Sequence, residues 1–288
     1  MRVRPNLSSL LPCLLRRGLC ITTLALSAPA AAIDVGGELS LIYDSNLNNA
    51  PADQEQEDGA LHMSMHLGTT LQPHRRAHLL LRAGIATEVY REFTDLSRAE
   101  IEFLARYRFR LGAAQYAPSL LAQASLAAWE VNDALRDQTI FRGLIGLLQP
   151  LAPGWSLRAQ IDARISEARE RLYDTEAVGG LLELEWAVTD KWLLYLDQRW
   201  QSGDVVSTGN PTLAVINRAE VVVSDDAYGA GGFGWRLDGD SWISGLGSNW
   251  QLRPNLSVDL LFRHIDTENE LDVHYRREQF FSSLLYRF

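Results

Sequence analysis

The chain has 288 residues, of which 47% are hydrophobic and 22% charged, a composition that excludes a disordered polymer. No long uncharged apolar run follows residue 32, so a membrane protein built from helices is also excluded. The formal charge of −9 becomes −13 without the four arginines of residues 1–32, which argues against nucleic acid as a partner.

The first 32 residues have the pattern of a secretory signal peptide. Four arginines precede an uncharged, largely apolar stretch at 19–26, and Ala30 and Ala32 fit the small-residue rule for cleavage. The apolar stretch is too short to span a bilayer. We therefore predict two parts, a signal peptide at 1–32 and a transmembrane β-barrel at 33–288, with a buried N-terminal helix as the alternative for the first part.

Both cysteines, Cys13 and Cys20, fall inside the predicted signal peptide. The mature chain would therefore lack disulfides, thiolate metal sites and cysteine nucleophiles. The Gly-rich stretch 229–234 has none of the strand–turn–helix context of a phosphate-binding loop. We predict no cofactor.

The rest of the chain alternates between apolar and polar residues with a period of two. The clearest case is 97–111, where odd positions from 99 onward are apolar or aromatic and even positions carry Arg or Glu, except Leu104. A strand separates such a pattern into two faces, whereas a helix would spread it around its circumference. Several full charges on one face are typical of a polar barrel interior and not of a soluble sandwich.

Twelve such segments predict the fold. They are joined alternately by short turns and by longer polar connections, which is typical of an outer-membrane barrel. The even number places both termini on the short-turn side, the periplasm, and the longest connection, 204–240, could hide two more strands. We predict an all-β, single, antiparallel up-and-down transmembrane β-barrel of about 12 strands in the bacterial outer membrane, with outer-membrane lipid around it. The predicted strands are 34–44, 59–72, 77–91, 98–111, 118–131, 138–149, 155–169, 178–188, 191–203, 241–252, 256–265 and 274–288.

The end of the chain resembles the C-terminal assembly signal of outer-membrane barrels. Phe280, Leu284, Tyr286 and Phe288 share one face of the last predicted strand, and Ser283 stands where the signal usually has glycine. The resemblance implies that the barrel-assembly machinery is a partner during insertion. An unpaired last strand would offer its backbone edge to that machinery.

A second resemblance follows the first predicted strand. The run Tyr43-Asp44-Ser45-Asn46-Leu47-Asn48-Asn49-Ala50 resembles the opening of the barrel domain of surface lipoprotein assembly modifiers. In that family the barrel helps lipoproteins to reach the cell surface, so the resemblance implies a protein or lipoprotein client. The alternative interpretation of this run is an Asn- and Asp-rich turn that leaves the strand at the outer rim.

The alternation also predicts which charged residues face the lumen. These residues either line a narrow, selective pore or form a paired charge ladder that fills and stiffens the barrel. The long connection 204–240 is either an inward constriction or a surface loop. The predicted lumen-lining residues are Arg82, Arg98, Glu100, Glu102, Arg106, Arg108, Arg110, Arg158, Asp162, Arg164, Glu183, Glu185, Arg199, Asp259 and Arg263.

No enzymatic or metal site is predicted. His264 and Ser282 have outward parity but belong to opposite ends of their strands, too far apart for a nucleophile and its base. His62 and His66 share a face without a third metal ligand. We predict a small pore or channel with a charged lumen, and the alternative is an assembly or export factor for surface proteins or lipoproteins without an open pore.

Overall fold

A computed structural model describes residues 33–288, so the predicted signal peptide and both cysteines lie outside the described residues. Strands make up most of this part of the chain, together with 3-10 turns at Thr94–Leu96, Ala134–Arg136 and Arg171–Tyr173 and one short helix, α1 (Leu213–Arg218). Within residues 33–288, no helix has the length and apolar character needed to cross a membrane. The strands are β1 (Ile33–Asp44), β2 (Asp58–His74), β3 (Ala77–Tyr90), β4 (Arg98–Arg110), β5 (Ser119–Val131), β6 (Gln138–Ala152), β7 (Trp155–Ala168), β8 (Thr175–Thr189), β9 (Trp192–Gly209), β10 (Val221–Ser224), β11 (Phe233–Arg253), β12 (Leu256–Asn269) and β13 (His274–Arg287).

Twelve of these strands close into a barrel. Each strand pairs antiparallel with its neighbours in the chain, and β13 pairs back onto β1. The short strand β10 lies outside the cycle, because β9 pairs directly with β11 over their whole common length. The prediction of a twelve-stranded, up-and-down antiparallel barrel is therefore confirmed, and the closed ring leaves no edge strand among the twelve.

The alternation of the sequence becomes an apolar exterior. On each strand the apolar side chains of one parity are exposed, while their polar neighbours are more buried. Leaving such side chains in water would cost ~1.5–3 kcal/mol each, so this surface requires a lipid environment. Representative exposed residues, strand by strand, are Leu41, Met65, Ile85, Phe103, Leu126, Ile145, Ile161, Leu182, Leu196, Leu246, Leu260 and Phe280.

The two ends of the barrel differ in the length of their connections. One end has two-residue turns at 75–76, 153–154, 190–191 and 254–255, together with the connection 111–118. Gly154 has a φ of +78°, a backbone conformation that favours glycine. The other end carries longer loops. It is the outer end, because outer-membrane barrels have short turns on the periplasmic side and longer loops outside. The predicted alternation of short and long connections is confirmed.

The longest connection is shorter than predicted. Residues 204–209 and 233–240 belong to β9 and β11, which pair from Trp192 opposite Trp250 up to Gly209 opposite Phe233. The pairing of β8 with β9 stops at Gly203, so the β9–β11 hairpin projects about 20 Å further at ~3.3 Å per residue. In this projection the apolar residues Trp235 and Leu237 are buried together with Val215. The exposed apolar residues further along the same strand, such as Trp242 and Leu246, have the opposite parity.

Aromatic side chains gather at the short-turn end. Trp155 stacks on Trp186 with ring centroids 5.1 Å apart, and Tyr286 packs edge-on against Phe288 at 4.8 Å. These rings are exposed on the outer surface, as is expected of an aromatic belt at the membrane interface. The residues predicted to form the C-terminal signal, Phe280, Leu284, Tyr286 and Phe288, are also exposed on the outer surface of the barrel. Their reading by an assembly machinery stays a prediction.

Candidate functional site: the inner face and the outer cap

Polar contacts between strands that are not neighbours identify the inner face of the barrel. Arg199 on β9 reaches Asp162 on β7 at 2.6 Å, and the Tyr195 hydroxyl on β9 donates to Asp259 on β12 at 2.8 Å. Each pair of strands is separated by a third strand. Side chains of second neighbours converge on the concave side of a barrel and diverge on the convex side, so these residues point inward.

Several of the predicted lumen residues form ion pairs on this inner face. They join neighbouring strands or second neighbours and form two groups, one on β3 and β4 and the other on β7, β8 and β9. The pairs are Arg82–Glu102 at 3.5 Å, Arg98–Glu88 at 3.0 Å, Arg158–Glu183 at 3.3 Å, Arg158–Glu185 at 3.3 Å and Arg199–Asp162 at 2.6 Å.

Other predicted residues have no ion pair within the described part of the chain. Arg106 donates to the Gln123 side chain at 2.7 Å, and Arg110 donates to the carbonyl of Ala114 at 2.6 Å. The Arg263 guanidinium lies 5.4 Å from the centre of the Phe281 ring. The remaining residues of this group are Glu100, Arg108, Arg164 and Asp259, of which Asp259 accepts hydrogen bonds from Tyr195 and Asn249. The predicted lumen residues are therefore only partly paired with carboxylates, and their lining of a conducting path stays a prediction.

A large cavity occupies the short-turn half of the barrel. It has a volume of about 750 Å³, and its walls include Glu38, His66, Arg82, Glu102 and Lys191. Gly36 on this wall leaves room for a neighbouring side chain: the imidazole of His66 lies over Gly36, where a Cβ would come within 2.5 Å of it. A barrel of about eight strands is filled by its own side chains, whereas this wider barrel of twelve strands encloses a space of this size beside its ion pairs.

The outer end is crossed by the first long loop, 45–57. Asn48 and Thr208 exchange two hydrogen bonds, from the Asn48 amide to the Thr208 carbonyl at 2.8 Å and from the Thr208 N–H to the Asn48 carbonyl at 2.9 Å. Asn49 donates to the Val206 carbonyl at 3.1 Å. Because β1 and β9 are four strands apart around the ring, these bonds require that the loop and the β9–β11 hairpin both leave the wall and meet over the opening.

The residues of the Tyr43–Ala50 run hold this loop in place. Asn46 is fully buried, its amide donates to the carbonyls of Ala50 and Arg276, and its oxygen accepts from the Ala50 N–H at 2.9 Å. Asp44 is paired with Arg277, with Nε–Oδ1 at 2.8 Å. Asn49 has a φ of +46°, a conformation that Asn tolerates well. The run is thus an Asn- and Asp-rich turn at the outer rim, as the alternative interpretation describes, and it also folds inward to contact β9.

The long loop 210–232 completes the cover through one buried carboxylate. Asp225 accepts from Arg136 at 2.7 Å, from Thr208 at 2.7 Å and from the Tyr173 hydroxyl at 3.1 Å. The Arg136 guanidinium lies 4.4 Å from the centre of the Tyr173 ring and 5.4 Å from that of Tyr228. We call these four residues, Arg136, Tyr173, Asp225 and Tyr228, the latch, and the loops 45–57 and 210–232 with the β9–β11 projection the outer cap.

An apolar cluster supports the latch. Leu47, Leu96 and Ala227 are buried together, with Phe93 and Tyr228 packed against them. The Tyr228 hydroxyl also donates to the Leu47 carbonyl at 3.1 Å. The two long loops are therefore joined to each other as well as to the wall.

The electrostatics of the latch favour a charged Asp225. Burial raises the pKa of this carboxyl, but the Arg136 charge and the hydrogen bonds from Thr208 and Arg136 outweigh that effect, so its pKa lies below the ordinary value of 3.8. A depressed pKa means that the carboxylate stabilises the folded latch above pH ~4. This contribution is lost as the pH falls through the depressed value.

We therefore expect the outer cap to stay closed from pH 8 to pH ~4 and to loosen below that. Protease cleavage of loop 210–232 in the purified barrel measures this, with faster cutting expected only in the most acid samples, using a protease active at low pH. Asp225→Asn should remove the acid step, because it cannot titrate. Cleavage that accelerates already between pH 7 and pH 5 would contradict the assignment to Asp225.

The latch could not be found by reading the sequence. Arg136, Tyr173 and Asp225 lie on three different loops, separated by 37 to 89 residues, and none belongs to a strand with a readable period. Two inner-face residues were missed for another reason. In 118–131 and 138–149 the inner positions are mostly uncharged, so the sequence does not show that Trp129 and Arg142 point inward. The Arg98 guanidinium lies 4.0 Å from the centre of the Trp129 ring.

The histidine and serine candidates for catalysis are far apart. His264 is paired with Glu278 and Ser282 with Leu260, a separation of four residues or about 13 Å along the ladder. His62 contacts Glu88 at 3.6 Å. Among residues 33–288, no group of three or more metal-binding side chains forms a candidate metal site. The absence of enzymatic activity stays a prediction.

Comparison with known proteins identifies the fold. No family model and no curated protein matches the chain. Among solved structures, an outer membrane channel from Pseudomonas putida F1 aligns with a TM-score of 0.61 at 10% identity, covering 91% of this chain and 97% of that one. The NanC and KdgM porins align with TM-scores of 0.47 and 0.45 at 6% and 7% identity, covering 89% and 87% of this chain and 100% and 99% of theirs.

The fold and the exterior together give the location of the chain. The fold is that of a bacterial outer-membrane β-barrel, and its apolar outer surface with an aromatic belt is stable only in contact with lipid. The predicted location in the bacterial outer membrane is therefore confirmed.

Proposed function

We propose that the chain is a small outer-membrane channel whose charged inner face conducts polar solutes. The observation that carries this proposal is the cavity of about 750 Å³ bordered by charged inner-face residues. Space of this kind inside a closed barrel supports passage, since a purely structural barrel gains more from filling its interior. The fifteen predicted lumen residues would then line the path or its mouth.

The outer cap makes this a channel that is closed at rest on its outer side. Its loops are held by hydrogen bonds and by the latch, with no covalent link among the described residues that would prevent opening. Loops that cover a pore commonly move on slower timescales than the wall that carries them. We infer that movement of the cap, and not of the strands, controls passage.

Single-channel recording in a planar bilayer tests the proposal. The purified full-length barrel should give discrete, brief steps of current, because the cap opens intermittently. Migration on an unboiled gel, which differs from that of a boiled sample for a folded barrel, confirms that each preparation is folded. A folded protein that is silent, and stays silent after the cap is removed, would overturn the proposal.

Two arginines on the inner face near the short-turn end should set ion selectivity. Arg106 and Arg108 lie on the inner face of β4 near the short turns and have no ion pair in the described part of the chain. We expect Arg106→Gln combined with Arg108→Gln to shift the reversal potential in a salt gradient towards cation preference. Arg276→Gln, an exposed arginine on the outward face of β13, is the matched control. A double variant that behaves like this control would exclude the two arginines from the path.

An assembly or export role, implied by the resemblance to surface lipoprotein assembly modifiers, is the alternative. In this barrel the motif residues Asp44, Asn46, Asn48 and Ala50 are buried and bonded within the chain, so they offer no surface to a client. This role stays a prediction. A stoichiometric partner that copurifies with the full-length chain, together with a silent lumen, would favour it over the channel.

A further inference from the structure

A second, smaller cavity lies directly beneath the outer cap. It has a volume of about 290 Å³ and is enclosed by loop 45–57, by the latch and by the outer ends of several strands. Four arginines line it, and none of the described residues along its walls is acidic. We call it the outer chamber; its arginines are Arg98, Arg136, Arg164 and Arg277.

Three of these arginines are neutralised by carboxylates behind the chamber wall. Arg98 pairs with Glu88 at 3.0 Å, Arg136 with Asp225 at 2.7 Å, and Arg277 with Asp44. Each of these carboxylates is buried. These three arginines thus complete pairs that hold the wall and the cap together.

Arg164 differs from the other three. Its side chain makes no ion pair or hydrogen bond within residues 33–288, and its Nε is buried without a partner. Its charged neighbours are Arg142, Arg98 and Arg199, all of the same sign, and Arg142 stands directly opposite it on β6. The nearest carboxylate along its own strand, Asp162, accepts from Arg199 through Oδ2 at 2.6 Å, and its Oδ1 makes no hydrogen bond to Arg164.

An unpaired guanidinium among like charges destabilises the folded protein unless an anion binds to it. A cation held away from bulk water without a counter-charge is destabilising, and the cost is relieved when an anion accepts its hydrogen bonds. The planar fork of Arg suits a carboxylate, which it binds through two parallel hydrogen bonds. The missing partner of Arg164 is therefore best supplied by a solute.

The remaining walls are suited to a flat or hydroxylated body. Aromatic and polar residues line the rest of the chamber: Trp129, Tyr90, Tyr173 and Tyr228, together with Asn48, Asn49 and Gln138. A volume of about 290 Å³ is at the lower end for small-molecule pockets, which fits one ring and its substituent.

We propose that the outer chamber binds a small organic acid with a single ring, whose carboxylate pairs with Arg164. The inference rests on the proposed channel function in one respect, that this acid is the transported solute. The binding itself depends only on the chamber.

Calorimetric titration of the full-length barrel in a non-ionic detergent tests the site. Benzoate, as the probe, should bind saturably with one site per chain, and benzamide, its neutral counterpart, should not. Arg164→Gln should weaken benzoate binding about tenfold or more, as expected for the loss of a charge-assisted pair. Arg164→Lys, which keeps the charge but not the fork, should bind with intermediate affinity, and Arg276→Gln should bind like the wild type.

The outcomes separate the site from the channel. No benzoate binding by folded wild type, or equal binding by Arg164→Gln, overturns the site whatever the conductance. Equal affinity for inorganic phosphate and benzoate overturns the assignment to ring carboxylates, because the aromatic wall would then contribute nothing. Benzoate binding by a barrel that never conducts supports the site and rejects the channel.

Discussion

Removing residues 211–231 should raise the single-channel conductance roughly threefold or more, because the longest loop of the outer cap is lost. The deletion joins Asn210 to Gly232 between Gly209 and Phe233, which are paired in register. Asn-Gly is a preferred sequence for a two-residue hairpin turn, so the shortened β9–β11 hairpin can close without strain. The change removes α1, β10 and the latch residues Asp225 and Tyr228 in one step.

The matched control for this deletion is Leu213→Ser. Leu213 is 78% exposed, so its replacement leaves the latch intact and should leave conductance at the wild-type level. The deletion also uncovers Trp235 and Leu237, which pack against Val215, and the gel-migration assay must therefore show a folded barrel. A folded deletion variant with unchanged conductance would mean that loop 210–232 does not obstruct the lumen.

Breaking the latch by Arg136→Gln should increase the ratio of open to closed times about a hundredfold. Asp225 is 4% exposed, and removing one partner of a buried ion pair costs about 3 kcal/mol, which corresponds to that factor. The stabilisation applies to the closed cap alone, since an opened loop exposes both groups to water. Dwell times from single-channel records give the ratio directly.

Two further variants make this test specific. Arg136→Gln combined with Asp225→Asn should open the channel less than Arg136→Gln alone, because the double variant leaves no unpaired buried charge. Arg169→Gln removes a neighbouring pair with Asp137 in which Arg169 is largely exposed, and such pairs contribute little. Equal effects of Arg169→Gln and Arg136→Gln would contradict the role of the latch.

The barrel was predictable because lipid imposes a simple rule on its sequence. Every strand within the membrane must present apolar side chains at alternate positions, so segments such as 98–111 reveal both their extent and their facing. The rule weakens where the inner positions are small or uncharged, as in 118–131, and it ends where β9 and β11 leave the lipid. At those places the sequence still contains the strand, but its apolar residues no longer show which face points outward.

The outer cap follows no such local rule. Asn48 bonds to Thr208, 160 residues away in the chain, and Asp44 pairs with Arg277 over 233 residues. Polar loop residues can satisfy their hydrogen bonds with water equally well, so only the completed geometry of the barrel selects these partners. The Tyr43–Ala50 run indicates a turn, but not the direction in which that turn folds.

The long sequence separation of the cap contacts also orders the events of folding. Asp44 and Arg277 are brought together when β1 pairs with β13, the contact with the greatest loop-closure cost in the ring. Loop 45–57, which is one part of the cover, can thus be fixed to β13 only after the two ends of the chain have met. A barrel that is still being assembled is consequently open at its outer end. We therefore expect its permeability to small solutes to fall only when the last strand has paired with the first.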